Sequence, residues 1–372
     1  MKDSKTYCPL AWVGLNILPN MKAPCCFWAH DNNQGFKDID FDKVRTGMLE
    51  GKEIPNCVQC YEDEKLNRTS RRLESISRFG YTDVVELKIL DISFDNLCNL
   101  KCRGCASTNS HLLYSEEISI YGKSISNQKY MVSKLDGIDF NLLEEINVSG
   151  GEPFLSQEAN NFFKNKKFLN LKHLGVVTNA TVIPQDGWSN ILNDVDKLSI
   201  TLSIDGVGKI NDYFRSGSDF DKIVNILDYW QQKIYSRKNK TTNIIINTTV
   251  NIYNVNMLNE IDEFFKNHYP EFMLTKRELM WPNQLSIKNI PLDLKDRARP
   301  YLEKYPEIIK FMDSEGKNLF DHFINYHNIL NDLRKENLKN SNPWLYEYIQ
   351  QHKSSTDNSR EFFVSQIEGL IT

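Results

Sequence analysis

Cys98, Cys102 and Cys105 stand at the spacing C-x3-C-x2-C within one short stretch, Cys-Asn-Leu-Lys-Cys-Arg-Gly-Cys. Three thiolates on a tight loop can hold three irons of a cubane [4Fe–4S] cluster and leave the fourth iron open to another ligand. A structural zinc ion would instead require a fourth protein ligand to close its tetrahedron. The other cysteines, Cys8, Cys25, Cys26, Cys57 and Cys60, form a second set, and none follows Cys105. Cysteines that merely fill a core would be scattered along the chain, so this placement points to function. Cys8, Cys25, Cys57 and Cys60 are enough for a closed second cluster, and equally for a four-cysteine zinc site. The proline before Cys25 favours it over Cys26 as a ligand, and Cys26 is then a spare thiol.

Further chemistry-bearing residues fall at the ends of apolar runs. Ser149-Gly150-Gly151-Glu152-Pro153 closes one such run, and its glycines allow close approach of backbone to a ligand. Thr178-Asn179-Ala180-Thr181 closes the next. Ser203 and Asp205 end a third, where strand alternation sets them on one face, opposite Ile204. Arg215 lies beyond, in Asp-Tyr-Phe-Arg-Ser-Gly.

These motifs, taken in this order, resemble the radical S-adenosylmethionine (SAM) superfamily over roughly residues 84–290. The resemblance implies that SAM chelates the open iron of a [4Fe–4S] cluster on Cys98, Cys102 and Cys105. An electron from the cluster would cleave SAM to methionine and a 5′-deoxyadenosyl radical, which abstracts hydrogen from a substrate. It implies a SAM site at Gly150, Gly151, Glu152 and Pro153, with Glu152 an acceptor near the ammonium, together with Asn179. Ser203 and Asp205 would serve the ribose hydroxyls, and Arg215 the SAM carboxylate, a planar anion that suits an arginine fork. Two positions depart from the family pattern. Gly104 stands where an aromatic residue often precedes the third cysteine, and Ala180 replaces a glycine.

The second set, with Cys57-x2-Cys60-x3-Glu64 and then Ser70-x-Arg72, resembles the auxiliary-cluster lobe termed twitch or SPASM, here ahead of the main domain. Relatives with such a lobe often act on peptides. A peptide or protein side chain is therefore the expected substrate, and a flavodoxin or ferredoxin the kind of electron donor implied. Radical modification of a small molecule, nucleotide or sugar is the alternative enzymatic reading. A redox or scaffold protein that keeps its clusters without turnover is the non-enzymatic one.

The elements that must position these residues follow a regular series. Val84–Phe94 is rich in β-branched residues and reads as a strand, and the cysteine loop and a helix around His111–Ile120 come after it. Strands at Glu145–Val148, His173–Thr178, Lys197–Ile204 and Asn243–Ile252 alternate with helices at Glu158–Phe168, Gly187–Leu192, Asp219–Ile234 and Met257–Asn267. A sixth strand lies within Leu274–Ile287. This predicts an α/β fold, a partial (β/α)6 barrel with a parallel sheet. Residues 1–80 lack the rhythm and read as a separate cysteine-rich lobe. Residues 291–372 read as a helical, polar C-terminal extension, with 351–360 a loop or mobile segment.

Composition bounds the rest. The chain has 372 residues, 40% hydrophobic and 25% charged, with a net charge of −4. That balance gives no electrostatic reason to expect nucleic acid or an anionic membrane as partner. The basic strip Lys65–Arg72 reads as a solvated helix face. No run approaches the roughly 20 apolar residues of a membrane span, and the N-terminus lacks a signal-peptide core. A reducing cytoplasm is the expected location, where clustered cysteines serve metals or catalysis rather than disulfides.

Overall fold

The structure, a computed structural model, describes residues 6–19, 21–26, 28, 39–65, 67, 69–237 and 239–352. Eight strands form one sheet: β1 (Gly14–Leu18), β2 (Met21–Ala23), β3 (Ile89–Ser93), β4 (Glu145–Ser149), β5 (His173–Thr178), β6 (Lys197–Ser203), β7 (Thr241–Val250) and β8 (Met273–Glu278). Their order is β2-β1-β3-β4-β5-β6-β7-β8. All neighbours from β1 to β8 pair parallel, and β2 returns antiparallel on β1. The six strands expected from the sequence are β3 to β8. Crossover helices join four successive pairs from β4 to β8, at Gln157–Asn165, Ser189–Asp194, Phe220–Ser236 and Leu258–His268.

Alternation sorts the strands into two faces. Leu90, Ile92, Ile146, Val148, Leu174, Val176, Leu198, Ile200, Ile244 and Ile246 point to the helices and form the main core with Phe162, Phe163, Leu227, Trp230, Ile261 and Phe265. Burying that many large apolar side chains is the dominant favourable term for the fold. Helix Phe220–Ser236 contributes the stripe of Phe220, Ile223, Ile226, Leu227 and Trp230, as its spacing predicts, and Asp219 caps it by accepting from the Lys222 amide.

The opposite face is polar, and register shows it as rows. One runs Asn16, Asp91, Asn147, Gly175, Ser199, Asn243 across β1 and β3 to β7. Another pairs Ser203, Asn247 and Thr275. Gly175 has a local reason: a Cβ there would run into the side chain of Asn147, which lies across it. Asn147 Nδ2 donates to Asp91 Oδ1 and to Glu145 Oε1, both at 2.8 Å.

Three sequence expectations change. Residues 1–80 do not stand apart, because β1 pairs with β3 and carries the N-terminal chain into the shared sheet. They do keep an apolar cluster of their own around Leu10, Trp12, Met21, Trp28, Val44 and Met48. The strip Lys65–Arg72 is not a uniformly solvated face either. Arg72 is buried on Glu64, and Arg71 reaches Asp91 at 3.0 Å. The expected strand start at Val84 moves to Ile89, and Val84 and Val85 stay exposed. Among the described residues, no helix is long and apolar enough to cross a membrane. The C-terminal extension is helical through Gln351, and residues 353–360 of the expected loop lie outside the described residues.

Candidate functional site

The cysteine loop leaves the C-terminal end of β3, the end at which parallel α/β sheets bind ligands. Asp95 anchors its start, accepting from the Leu97 amide at 3.0 Å and from Ser156 Oγ at 2.5 Å. Cys98 is buried, and Cys102 and Cys105 are half-buried. Burial and the neighbouring Cys102 push the Cys98 thiol up to about 12. Burial, then Cys102 and Cys98, push Cys105 higher still. Two donors reach their sulfurs: Asn179 Nδ2 lies 3.8 Å from Cys98 Sγ and Arg215 Nη1 lies 3.8 Å from Cys102 Sγ. Crowded thiols cannot all ionise in a bare pocket, whereas a cationic iron–sulfur group makes thiolates of them. The donor set therefore fits such a group. Among the described residues, no three His, Cys, Asp or Glu side chains converge closely enough to enclose one metal ion.

The turn Ser149–Pro153 at the end of β4 packs against the root of this loop. Gly150 has φ +115°, open to glycine and hardly to other residues, and a Cβ there would collide with Ser93. A Cβ on Gly151 would collide with the Leu97 carbonyl, whose oxygen accepts the Glu152 amide at 2.7 Å. The glycines thus serve contact between two loops of the site. Gly151→Ala is expected to push the cysteine loop away, costing about 1–3 kcal/mol as overpacking does. Urea unfolding of the metal-free chain and iron content after reconstitution measure this, and wild-type values for both would contradict the contact.

Glu152, expected near an ammonium group, is fully buried with both oxygens engaged. Oε1 accepts from Thr178 Oγ1 at 2.7 Å and from the Phe154 amide at 3.2 Å, and Oε2 accepts from the Asn179 amide at 2.7 Å. Its side chain ties the end of β4 to the end of β5, and burial pushes its carboxyl up to about 7. Pro153 is buried beside it. Ala180 takes φ +60°, which explains why glycine suits this turn.

Asp205 and Arg215 come together as one unit. Arg215 Nε lies 2.8 Å from Asp205 Oδ2, and Asp205 Oδ1 accepts the Thr249 amide at 2.6 Å. Asp205 is fully buried, and its two oxygens face Arg215 and the Thr249 amide. Ser203 is half-buried on the polar face, in register with Asn247. At Gly104, a Cβ would meet Phe214 at 2.9 Å and Leu279 at 3.0 Å. A larger residue at 104 would therefore have to displace these two side chains.

Cys8, Cys57 and Cys60 of the second set are also pushed up by burial. Burial, with Cys57 and Cys60 as neighbours, pushes Cys8 up to about 12; burial, with Cys25 and Cys60 as neighbours, does the same to Cys57. Glu64, Ser70 and Arg72 hold the frame. Ser70 caps helix Arg71–Phe79 by accepting the Leu73 amide and bonds Glu64, while Arg72 pairs with Glu64 and donates to the Tyr7 carbonyl at 3.1 Å. Cys26 is exposed, and its amide donates to Asp91 Oδ2 at 3.3 Å. Cys26 therefore sits beside the polar face of the sheet.

Sequence reading missed two groups. One is the charged set on the polar face, where Arg71 pairs with Asp91, and Arg78 and His173 both meet Glu145. The other is the contact of the cysteine loop with the C-terminal helix Phe320–Arg334. There Arg334 and Lys101 share Glu116, each at 2.6 Å. Arg103 in the loop also went unread, and its side-chain partners lie 110 to 233 positions away.

No family model matches the chain. It is 24% identical over 246 residues to a protein of Methanocaldococcus jannaschii named "Probable GTP 3′,8-cyclase", covering 63% of this chain and 74% of that one. It is 28% identical over 123 residues to the GTP 3′,8-cyclase of Synechocystis sp., covering 32% of this chain and 34% of the other. Among solved structures, SuiB of Streptococcus suis bound to S-adenosylmethionine aligns with TM-score 0.36 and 13% identity over 77% of this chain and 54% of SuiB. Native anSMEcpe with S-adenosylmethionine and the Cp18Cys peptide aligns with TM-score 0.36 and 20% identity, over 64% of each chain.

Proposed function

We propose that this enzyme of the radical SAM superfamily takes hydrogen from a side chain of a peptide or protein laid against the polar face of its sheet. A reduced [4Fe–4S] cluster, when bound, supplies the electron that cleaves SAM to the radical that abstracts that hydrogen. Cys98, Cys102 and Cys105 would hold the cluster. Backbone of Gly150–Pro153, with Asn179, Ser203 and Arg215, would bind SAM, Arg215 being held in place by Asp205. Cys8, Cys25, Cys57 and Cys60 would hold a second cluster. The electron comes from a one-electron reductant of the flavodoxin or ferredoxin kind.

The observation that carries the peptide reading is the chemistry of the polar face. Thr201, Ser203, Asn243, Asn247 and Thr249 offer neutral donors and acceptors, the complement of peptide amides. Arg71 is paired with Asp91 and Arg78 with Glu145, and Arg277 and Lys197, on strands of the same face, stand exposed. A nucleoside triphosphate would need several cations free to meet its phosphates. The second reading, a nucleotide substrate, is favoured by the names of the two sequence relatives.

One anaerobic experiment separates these. The purified chain is expected to carry about eight irons, two cubanes; about four irons with one zinc would remove the second cluster from the proposal. With reductant and SAM, 5′-deoxyadenosine should form. Its deuterium content is then compared after incubation with a fully deuterated peptide digest and with deuterated GTP. Label from the digest supports the peptide reading, and label from GTP alone overturns it in favour of the nucleotide.

A further inference from the structure

A three-cysteine cluster loop lacks the fourth protein ligand that closes other sites, so its order must come from contacts outside the metal shell. The structure shows where they come from. Arg103, between Cys102 and Cys105, has a fully buried side chain. Its Nε donates to the Tyr213 carbonyl at 3.0 Å, and its Nη2 donates to Asn331 Oδ1 at 2.8 Å and Glu336 Oε2 at 2.5 Å. The guanidinium carbon lies 3.9 Å from the centre of the Tyr213 ring, a cation–π distance. The main chain at 103 is fixed as well: its amide donates to the Phe214 carbonyl at 2.8 Å, and its carbonyl accepts from Tyr326 Oη at 2.7 Å.

Glu336 reaches further than this pair. It accepts from Ser216 Oγ, and the Ser216 carbonyl accepts the Lys101 amide at 2.8 Å. Ser216 adjoins Arg215, whose Nη1 meets Cys102 Sγ. One carboxylate from beyond the last barrel strand therefore joins residues 101, 103 and 216 into a single frame around the middle cysteine.

We infer that Arg103 is a positioning residue for the first cysteine set, and that the C-terminal segment through Glu336 is a working part of the cluster site. This rests on the reading that Cys98, Cys102 and Cys105 hold the cluster. Without Arg103, the three thiols keep their sequence spacing but lose the frame that holds them in register for three irons of one cube.

The test uses the full chain, reconstituted without oxygen. Arg103→Met combined with Glu336→Gln removes both charges, so no buried ion is left alone and Ser216 keeps an acceptor. The double variant is expected to unfold like wild type when metal-free. It should lose the first cluster to a chelator about tenfold faster, and the midpoint potential of that cluster should shift. Chelator lifetime within twofold of wild type, with an unchanged potential, overturns the inference. If the double variant does not fold, Arg103→Lys, which keeps the charge but not the fork, is judged by the same two readouts. A Cys102→Ala arm separates the two ideas. Iron retained in full there sinks the cluster reading and this inference together. Iron lost there, but held normally in the Arg103 variants, sinks this inference alone.

Discussion

Replacing Cys102 with alanine is expected to remove about four irons per chain and to abolish 5′-deoxyadenosine formation, while the chain still folds. The middle cysteine sits between Cys98 and Cys105 in the loop and is the one that Arg215 meets. Two remaining thiols cannot hold three corners of a cube, so no partly active site is left behind. The stability cost is small by comparison. One sulfur is removed beside groups that keep their other bonds, Arg215 to Asp205 and the Cys105 amide to the Cys102 carbonyl at 3.2 Å. A matched substitution, Cys57→Ala, should also lower iron yet leave SAM cleavage in place, because the second set is built on separate elements. Iron analysis and chromatography of the nucleoside product read both variants. SAM cleavage persisting in Cys102→Ala would overturn the assignment of the first set.

What was legible in the sequence, and what was not, divides by distance along the chain. Most of the β3 to β8 series could be read because its strands are local runs with apolar and β-branched residues, and its crossover helices local stripes such as Phe220, Ile223, Leu227 and Trp230. The motifs at strand ends could be read because parallel pairing brings all those ends to one edge of the sheet. The pairing of β1 with β3 could not, since nothing in Gly14–Leu18 names a partner some 75 positions on. The same holds for Arg103 with Glu336, and for Arg71 with Asp91. Charges close in sequence looked solvated because their partners were invisible. The resemblance likewise placed Glu152 and Asp205 near a ligand but gave no sign that both carboxylates are occupied by the protein itself.

Those two carboxylates show how the site is built. Glu152 joins the ends of β4 and β5, and Asp205 joins the end of β6 to Arg215 and to Thr249 of β7. Buried side chains that bridge neighbouring strand ends hold the loops in the positions that the proposed radical chemistry would require. A reactive carbon radical must form beside its target, away from solvent, and misplacement by an ångström is costly. Rigidity at the strand ends is therefore part of the chemistry.

Glu152→Ala is accordingly expected to destabilise the chain by roughly 3–5 kcal/mol, the sum of leaving three buried donors without an acceptor at about 1–3 kcal/mol each, allowing for relaxation. The donors are Thr178 Oγ1 and the amides of Phe154 and Asn179. Asn179 should then swing off Cys98, so SAM affinity falls along with stability. The loss also has a pH signature. Burial holds the Glu152 carboxyl at about 7, above the roughly 4.3 of an unfolded chain. Between those values the folded state binds the extra proton, so this group's contribution is full below the unfolded value and is lost as pH rises through 7. The gap between wild type and Glu152→Ala should therefore narrow from pH 5 to pH 8. Urea unfolding of the metal-free chains across that range measures it. A gap that is constant or widens toward pH 8 would show that the buried carboxylate is held as an anion throughout, with its three donors outweighing its burial.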